Sequence, residues 1–420
     1  MKTAKSICLS LAIMTFTLVS VRSEPFRTDI NPALLYYQAF LLAPNPLSDA
    51  DWDYLGSKTG RSENLPERFD AIVAGYNEQF RLVRQAAQAT VPCDWGIDMS
   101  AGPATQLPHL SRAKAVAVAL LFRLPWELQH GQQDAARDDV LATFTLARNV
   151  PRDGTLIGVL VQQAVEAIVY ANVAGHFGEF SATTLKQLED GFDAAPARIS
   201  LAATVAMELT NGPIFWERTI QELQAANPGD DAKVMDEIRA HVDHHDFLYN
   251  VSVEDWNTNL WEEIVTASGG TSEGVVRLFR EIEPLYPRLA EIMSHPEAAY
   301  EQQSKQFDAE IKKSQNPLIP VLFPNAMHSR SRECRTQAWE TMFRAAAEYK
   351  LHGEAGLKTV LDPFGNGPFA FHRFVFEGVD RGFELKSAYA GLGFPCKIIF
   401  VEKNGTPFSV EGPYAGKAIK

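Results

Sequence analysis

The sequence predicts a mainly α fold, an irregular helical bundle or solenoid with a small β hairpin module at its C-terminus. Three observations carry that reading. Apolar residues recur at three- and four-residue steps through most of the chain between Asn31 and Leu351. The turns between these stretches are short and built on Gly and Pro, as at His130-Gly131 and Pro151 to Gly154, which makes neighbouring helices antiparallel. After Gly353 the period changes to two, with aromatic residues at alternate places.

Each element has its own justification. The first helix starts at Pro32, because Asn31 is a good N-cap and Pro fits the first helical position. Leu34, Leu35, Tyr37, Phe40, Leu41 and Leu42 then give it a broad apolar face. A second amphipathic stretch runs from Glu67 to Ala89 on Phe69, Ile72, Val73, Tyr76, Phe80 and Val83. Pro92, Gly96, Gly102 and Pro103 stop the pattern, so Cys93-Asp94-Trp95-Gly96 lies on a loop.

Three strong helical segments follow: Ala113 to Gln129 with a kink or break at Pro125, Asp134 to Asn149, and Thr155 to Ala174. The last is apolar nearly all round, which marks a central buried helix. Gln162, Gln163 and Glu166 in its middle would be costly in lipid, so no membrane span is expected in the mature chain. Further helices are expected at Ala182 to Asp193, Ala197 to Ala226, Asp231 to His245, Glu254 to Ala267, Glu273 to Met293, Pro296 to Ser314 and Arg330 to Leu351. Asn211-Gly212-Pro213 should bend or split the second of these. The tight succession resembles the stacking of tetratricopeptide-like solenoids, most of all at Leu128 to Arg148, although the period of such repeats does not recur.

Asp362 to Pro368 is turn chemistry. Phe369 to Glu377 alternates with aromatics, Phe369 and Phe371 and then Phe374 and Phe376 after a one-residue offset, and Gly382 to Tyr389 alternates again. Cys396 to Val401 and Pro407 to Val410 add two short strands around an Asn404-Gly405 turn. Residues 362–389 resemble the C-terminal hairpin of type II secretion major pseudopilins, in which an Asp-Pro-aromatic-Gly-Asn turn leads into an aromatic strand. That family binds calcium through an acidic loop after the second strand, where this chain reads Ala390-Gly391-Leu392-Gly393 without a carboxylate. The methylated N-terminal helix of a pilin is missing too, so the resemblance implies a shared structural turn and no cofactor. The whole chain is similar to exported, uncharacterised helical bacterial proteins that carry such a hairpin, a class that implies no activity.

Met1 to Ser23 read as a secretory signal. Lys2 and Lys5 form a basic start, Ile7 to Val21 an apolar stretch, and Val21 and Ser23 the small residues a signal peptidase needs. The expected organisation is therefore a signal at 1–23, a helical domain at 24–353 and a small β-containing module at 354–420, with the protein exported to the periplasm or the extracellular space. Removing the signal leaves 36 basic against 52 acidic residues, a field that repels phosphate backbones and argues against nucleic acid as a partner. Cys93, Cys334 and Cys396 remain, which allows one disulfide at most, or three buried thiols.

Three groups of residues invite a chemical reading. On a helix His241 and His245 share one face with Glu237, with His244 adjacent, and four-residue spacing lets two imidazoles meet one metal. Val242 stands where a general base would be, and a solvated polar helix end explains the same residues. Gly270-Thr271-Ser272-Glu273-Gly274 matches the hydrolase nucleophile pattern, which needs a strand before the Ser. Trp256, Leu260, Trp261, Ile264 and Val265 instead read as helix, so Ser272 is expected to be an N-cap. Phe215, Trp216, Trp256 and Trp261 could stack on a sugar or peptide, or fill a core. The function expected from these residues is a non-catalytic binding or scaffold protein with a protein or other envelope partner. The alternative is a metal-dependent hydrolase using His241 and His245.

Overall fold

The computed structural model describes residues 27–57, 64–244, 259–322, 326–391 and 395–403. The segment expected to be a signal, His245, Trp256 and the strand expected at Pro407 to Val410 lie outside them. The mainly α reading holds: helices occupy most of the described chain, and one three-stranded antiparallel sheet follows them.

Helix α1 (Pro32–Leu41) starts where expected, with Oδ1 of Asn31 accepting the Ala33 N–H at 3.1 Å. The same Asn31 fixes the following loop, its Nδ2 donating to the Asp94 carbonyl at 2.6 Å. Helix α2 (Asp49–Gly56) escapes periodicity because it is short and only half-buries Trp52, Tyr54 and Leu55 against the first core. The stretch from Glu67 to Ala89 divides at Tyr76 into α3 (Arg68–Gly75) and α4 (Asn77–Ala87). Helix α5 (Pro108–Gln129) runs through Pro125 without a break, and α6 (Gln133–Asn149) returns beside it. Helix α7 (Leu156–Gly175) is capped by Thr155, whose Oγ1 accepts the Gly158 N–H at 3.1 Å.

Helix α7 is long and apolar enough to cross a membrane, but most of it is buried inside the protein. Its polar middle explains the burial. Gln162 Nε2 donates to Oε1 of Glu166 at 2.8 Å, and Glu166 pairs with Arg148 at 2.6 Å and Arg198 at 2.7 Å. A carboxylate so deeply placed is tolerable only with such partners.

After α8 (Ala182–Ala194) the expected long helix splits as the sequence suggests. Helix α9 (Leu201–Leu209) passes through a π turn at Thr210–Ile214 into α10 (Phe215–Ala226), because Pro213 has no N–H for the regular ladder. Helices α11 (Asp231–Asp243), α12 (Leu260–Ser268), α13 (Ser272–Ile282), α14 (Leu285–Ser294) and α15 (Glu297–Ile311) follow. The expected segment from Glu273 to Met293 thus divides around Glu283-Pro284. Helix α16 (Ala326–Leu357) closes the helical part, with Gly353 in a left-handed conformation near its end.

These helices build two cores. Tyr36, Phe69, Phe122, Phe144, Tyr170 and Phe180 belong to the first, to which α16 returns through Cys334, Met342 and Phe343. Leu201, Trp216, Ile238, Val276, Phe279 and Ile292 belong to the second. The chain leaves the first core after α8 and comes back with α16.

Strands β1 (Ala370–Phe376), β2 (Val379–Lys386) and β3 (Lys397–Val401) lie in that order. The β1–β2 turn uses Glu377 and Gly378, both at positive φ, the geometry of a tight hairpin. The aromatic offset marks a change of face. Phe371 stacks on Phe383 at 5.4 Å within the first core, whereas Phe374 and Phe376 pack with Ile399 and Val401 on the other side. The register slips between Phe374 and Val375. Phe383 and Phe400 meet Phe177 at 5.6 and 5.2 Å, which seats the sheet on the helices.

Candidate functional site

The structure distributes the residues nominated by sequence without gathering them. His241 sits near the end of α11 with its ring edge-on to Trp216 at 5.2 Å, and His244 is exposed at the helix C-cap. His245 lies outside the described residues, among which no group of three or more His, Cys, Asp or Glu is placed to hold a metal. Trp216 is buried in the second core rather than presented on a surface. Cys93, Cys334 and Cys396 are all free and buried, and burial pushes each thiol up to about 12.

Ser272 follows helix α12, so the strand-to-helix elbow of a hydrolase nucleophile is missing there. Its expected role as the cap is corrected. Thr271 caps α13 by accepting the Gly274 N–H at 3.1 Å, while the buried Ser272 hydroxyl donates to Asp231 and accepts from Gln224 at 2.8 Å.

The site with ligand-like geometry lies elsewhere, at the edge of the second core. A cavity of about 170 Å³ is bounded on one side by Met99 to Leu107 and the first turn of α7, and on the other by α9, α14 and Leu322. Its walls are mostly apolar: Leu107, Ile157, Leu160, Val205, Leu289 and Leu322. Ile157 at the rim is 45% exposed, and Met207, 50% exposed, covers Gly154 next to the same turn. Apolar surface thus continues from the interior to the outside.

Polar groups are few and specific. Oε1 of Glu208 accepts the Leu156 N–H at 2.6 Å, satisfying a donor that the first turn of α7 leaves free. Burial, the largest influence, raises the Glu208 carboxyl above its ordinary value, opposed by that hydrogen bond and assisted by the nearby Asp153. Burial likewise raises the Tyr286 hydroxyl. Behind the wall, Nε2 of the buried His109 lies 3.0 Å from Oδ2 of Asp153, whose Oδ1 accepts the Thr155 N–H at 2.9 Å. The His109 ring stacks on Trp95 at 4.5 Å, so the loop fixed by Asn31 also positions this wall.

Sequence reasoning missed this site. One signal was present: Glu208 is the single acid in the otherwise apolar run Leu201 to Leu209, a place where a charge needs a reason. A second concavity, about 570 Å³ and wider open, runs along α6 between Arg84, Cys93 and Pro196. It is a groove between helix ends with no comparable enclosure. No family model matches the chain, and neither a curated protein nor a solved structure matches it.

Proposed function

We propose that the chain is an exported, non-catalytic binding protein of the cell envelope, and that it binds a small apolar ligand at the edge of its second helical core. One observation carries the reading: a mostly apolar cavity of about 170 Å³ with an apolar rim, walled by Leu156, Val205, Leu289 and Leu322 of the second core and closed over by the segment from Met99 to Leu107. A cavity of about 150 Å³ lined by aliphatic side chains accommodates one benzene ring, so this one suits a ligand body of similar size. Pockets between packed helices are common sites for such ligands. Burial favours the uncharged forms of Glu208 and Tyr286, which suits an apolar interior. Export rests on the signal pattern of residues 1–23, and the secreted chain should begin at Glu24 when its mass is measured.

Calorimetric titration of the full-length mature chain with toluene tests the site. Saturable binding is expected, together with its loss in Leu160→Trp, where the indole fills the space. A wild-type chain that shows no saturable heat would overturn the assignment.

A further inference from the structure

The polar end of the pocket points to the chemical class of its ligand, an inference that rests on reading the cavity as a binding site. Among the described lining residues Glu208 is the only charged one, and no Lys or Arg reaches the walls. Its Oε1 is committed to the Leu156 N–H, while Oε2 takes no hydrogen bond among the described residues. A second carboxylate, Asp153, acts on Glu208 from behind the wall, where it is held against His109 and Thr155. Two carboxylates beside an apolar cavity, one with an unused acceptor, favour a cation and repel an anion.

We propose that the ligand is a small organic amine, with its ammonium donating to Oε2 of Glu208 and its apolar body lying among Leu107, Leu160, Val205 and Leu289. An ammonium on a largely buried carboxylate gains a charge-assisted hydrogen bond of about twice ordinary strength. It also offsets the solvation that burial has removed from the Glu208 carboxylate. The volume holds about one ring, so an arylmethylamine fits better than a long-chain amine.

The test compares three probes of one size, benzylamine, toluene and benzoate, by calorimetry on the mature chain. The expected order is benzylamine tightest by about tenfold over toluene, since a hydrogen bond to a charged group is worth at least that factor, with benzoate not binding. In Glu208→Gln the amide oxygen still accepts the Leu156 N–H, so the fold is retained; toluene should bind as before and the preference for benzylamine should vanish. Equal binding of benzylamine and toluene to the wild type, or a preference that survives Glu208→Gln, would overturn the amine assignment while leaving the pocket as a site. Failure of all three probes would overturn both, and unchanged toluene binding in Glu208→Gln excludes misfolding as the cause of a lost preference.

Discussion

Asp362 organises the C-terminal turn that the sequence singled out. Its buried carboxylate accepts the Ser387 hydroxyl at 2.8 Å, the Ala388 N–H at 2.6 Å and the Phe364 N–H at 3.1 Å, so one side chain ties the turn to the end of β2. Gly365 and Gly367 do not take the positive φ that turn composition suggests. Gly382 is the constrained glycine, at φ 154°, where a Cβ would run into the Phe400 carbonyl of β3. Gly382→Ala should therefore cost several times as much urea stability as Gly367→Ala, whose Cβ meets nothing; equal losses would contradict the pairing described. A second residue-scale prediction concerns Glu127. Burial and then Asp139 push its carboxyl up to about 9, despite Arg123 and Arg84. A carboxyl raised above its unfolded value of 4.5 gives stability that is full below that pH and is lost as the pH rises through about 9. Glu127→Gln should flatten the fall in unfolding free energy across this window, and a decline as steep as wild type would show that Glu127 titrates normally.

At the scale of elements, the helices are legible where a long face is buried and illegible where a short one is only half-buried. Helix α7 is legible from an all-round apolar sequence, whereas α2, only two turns long with Trp52, Tyr54 and Leu55 half-buried, gives too short a stripe to read. The β1 offset was visible in Phe371 and Phe374, but only the register shows that the chain changes face there. The first turn of α13 illustrates the limit of cap rules, since Thr271 and Ser272 are both acceptable N-caps and tertiary contacts choose between them. Thr271→Ala should cost about 1 kcal/mol. Ser272→Ala should show coupling to Asp231→Ala in a double-mutant cycle, because the two side chains share a hydrogen bond. Additive losses would place Ser272 back in the role of a simple cap.

At the scale of the whole molecule, periodicity reveals that a face is apolar but not which element covers it. That is why the division into two cores, and the pocket at the edge of the second, could not be read from the pattern of residues 201–322. Glu208 carries the one legible trace, an acid in an apolar helix. The buried network of Arg148, Glu166, Arg198 and Glu340 joins α6, α7 and α16 through the connection that leads into the second core, and so bears on how the pocket walls meet. The central claim is that this pocket is an apolar cavity open to a small ligand, and a crystal of the protein pressurised with xenon tests it most directly. The account predicts a xenon peak among Leu160, Val205 and Leu289, lost in Leu160→Trp; a crystal whose xenon leaves that space empty, or finds it filled by side chains, would contradict it.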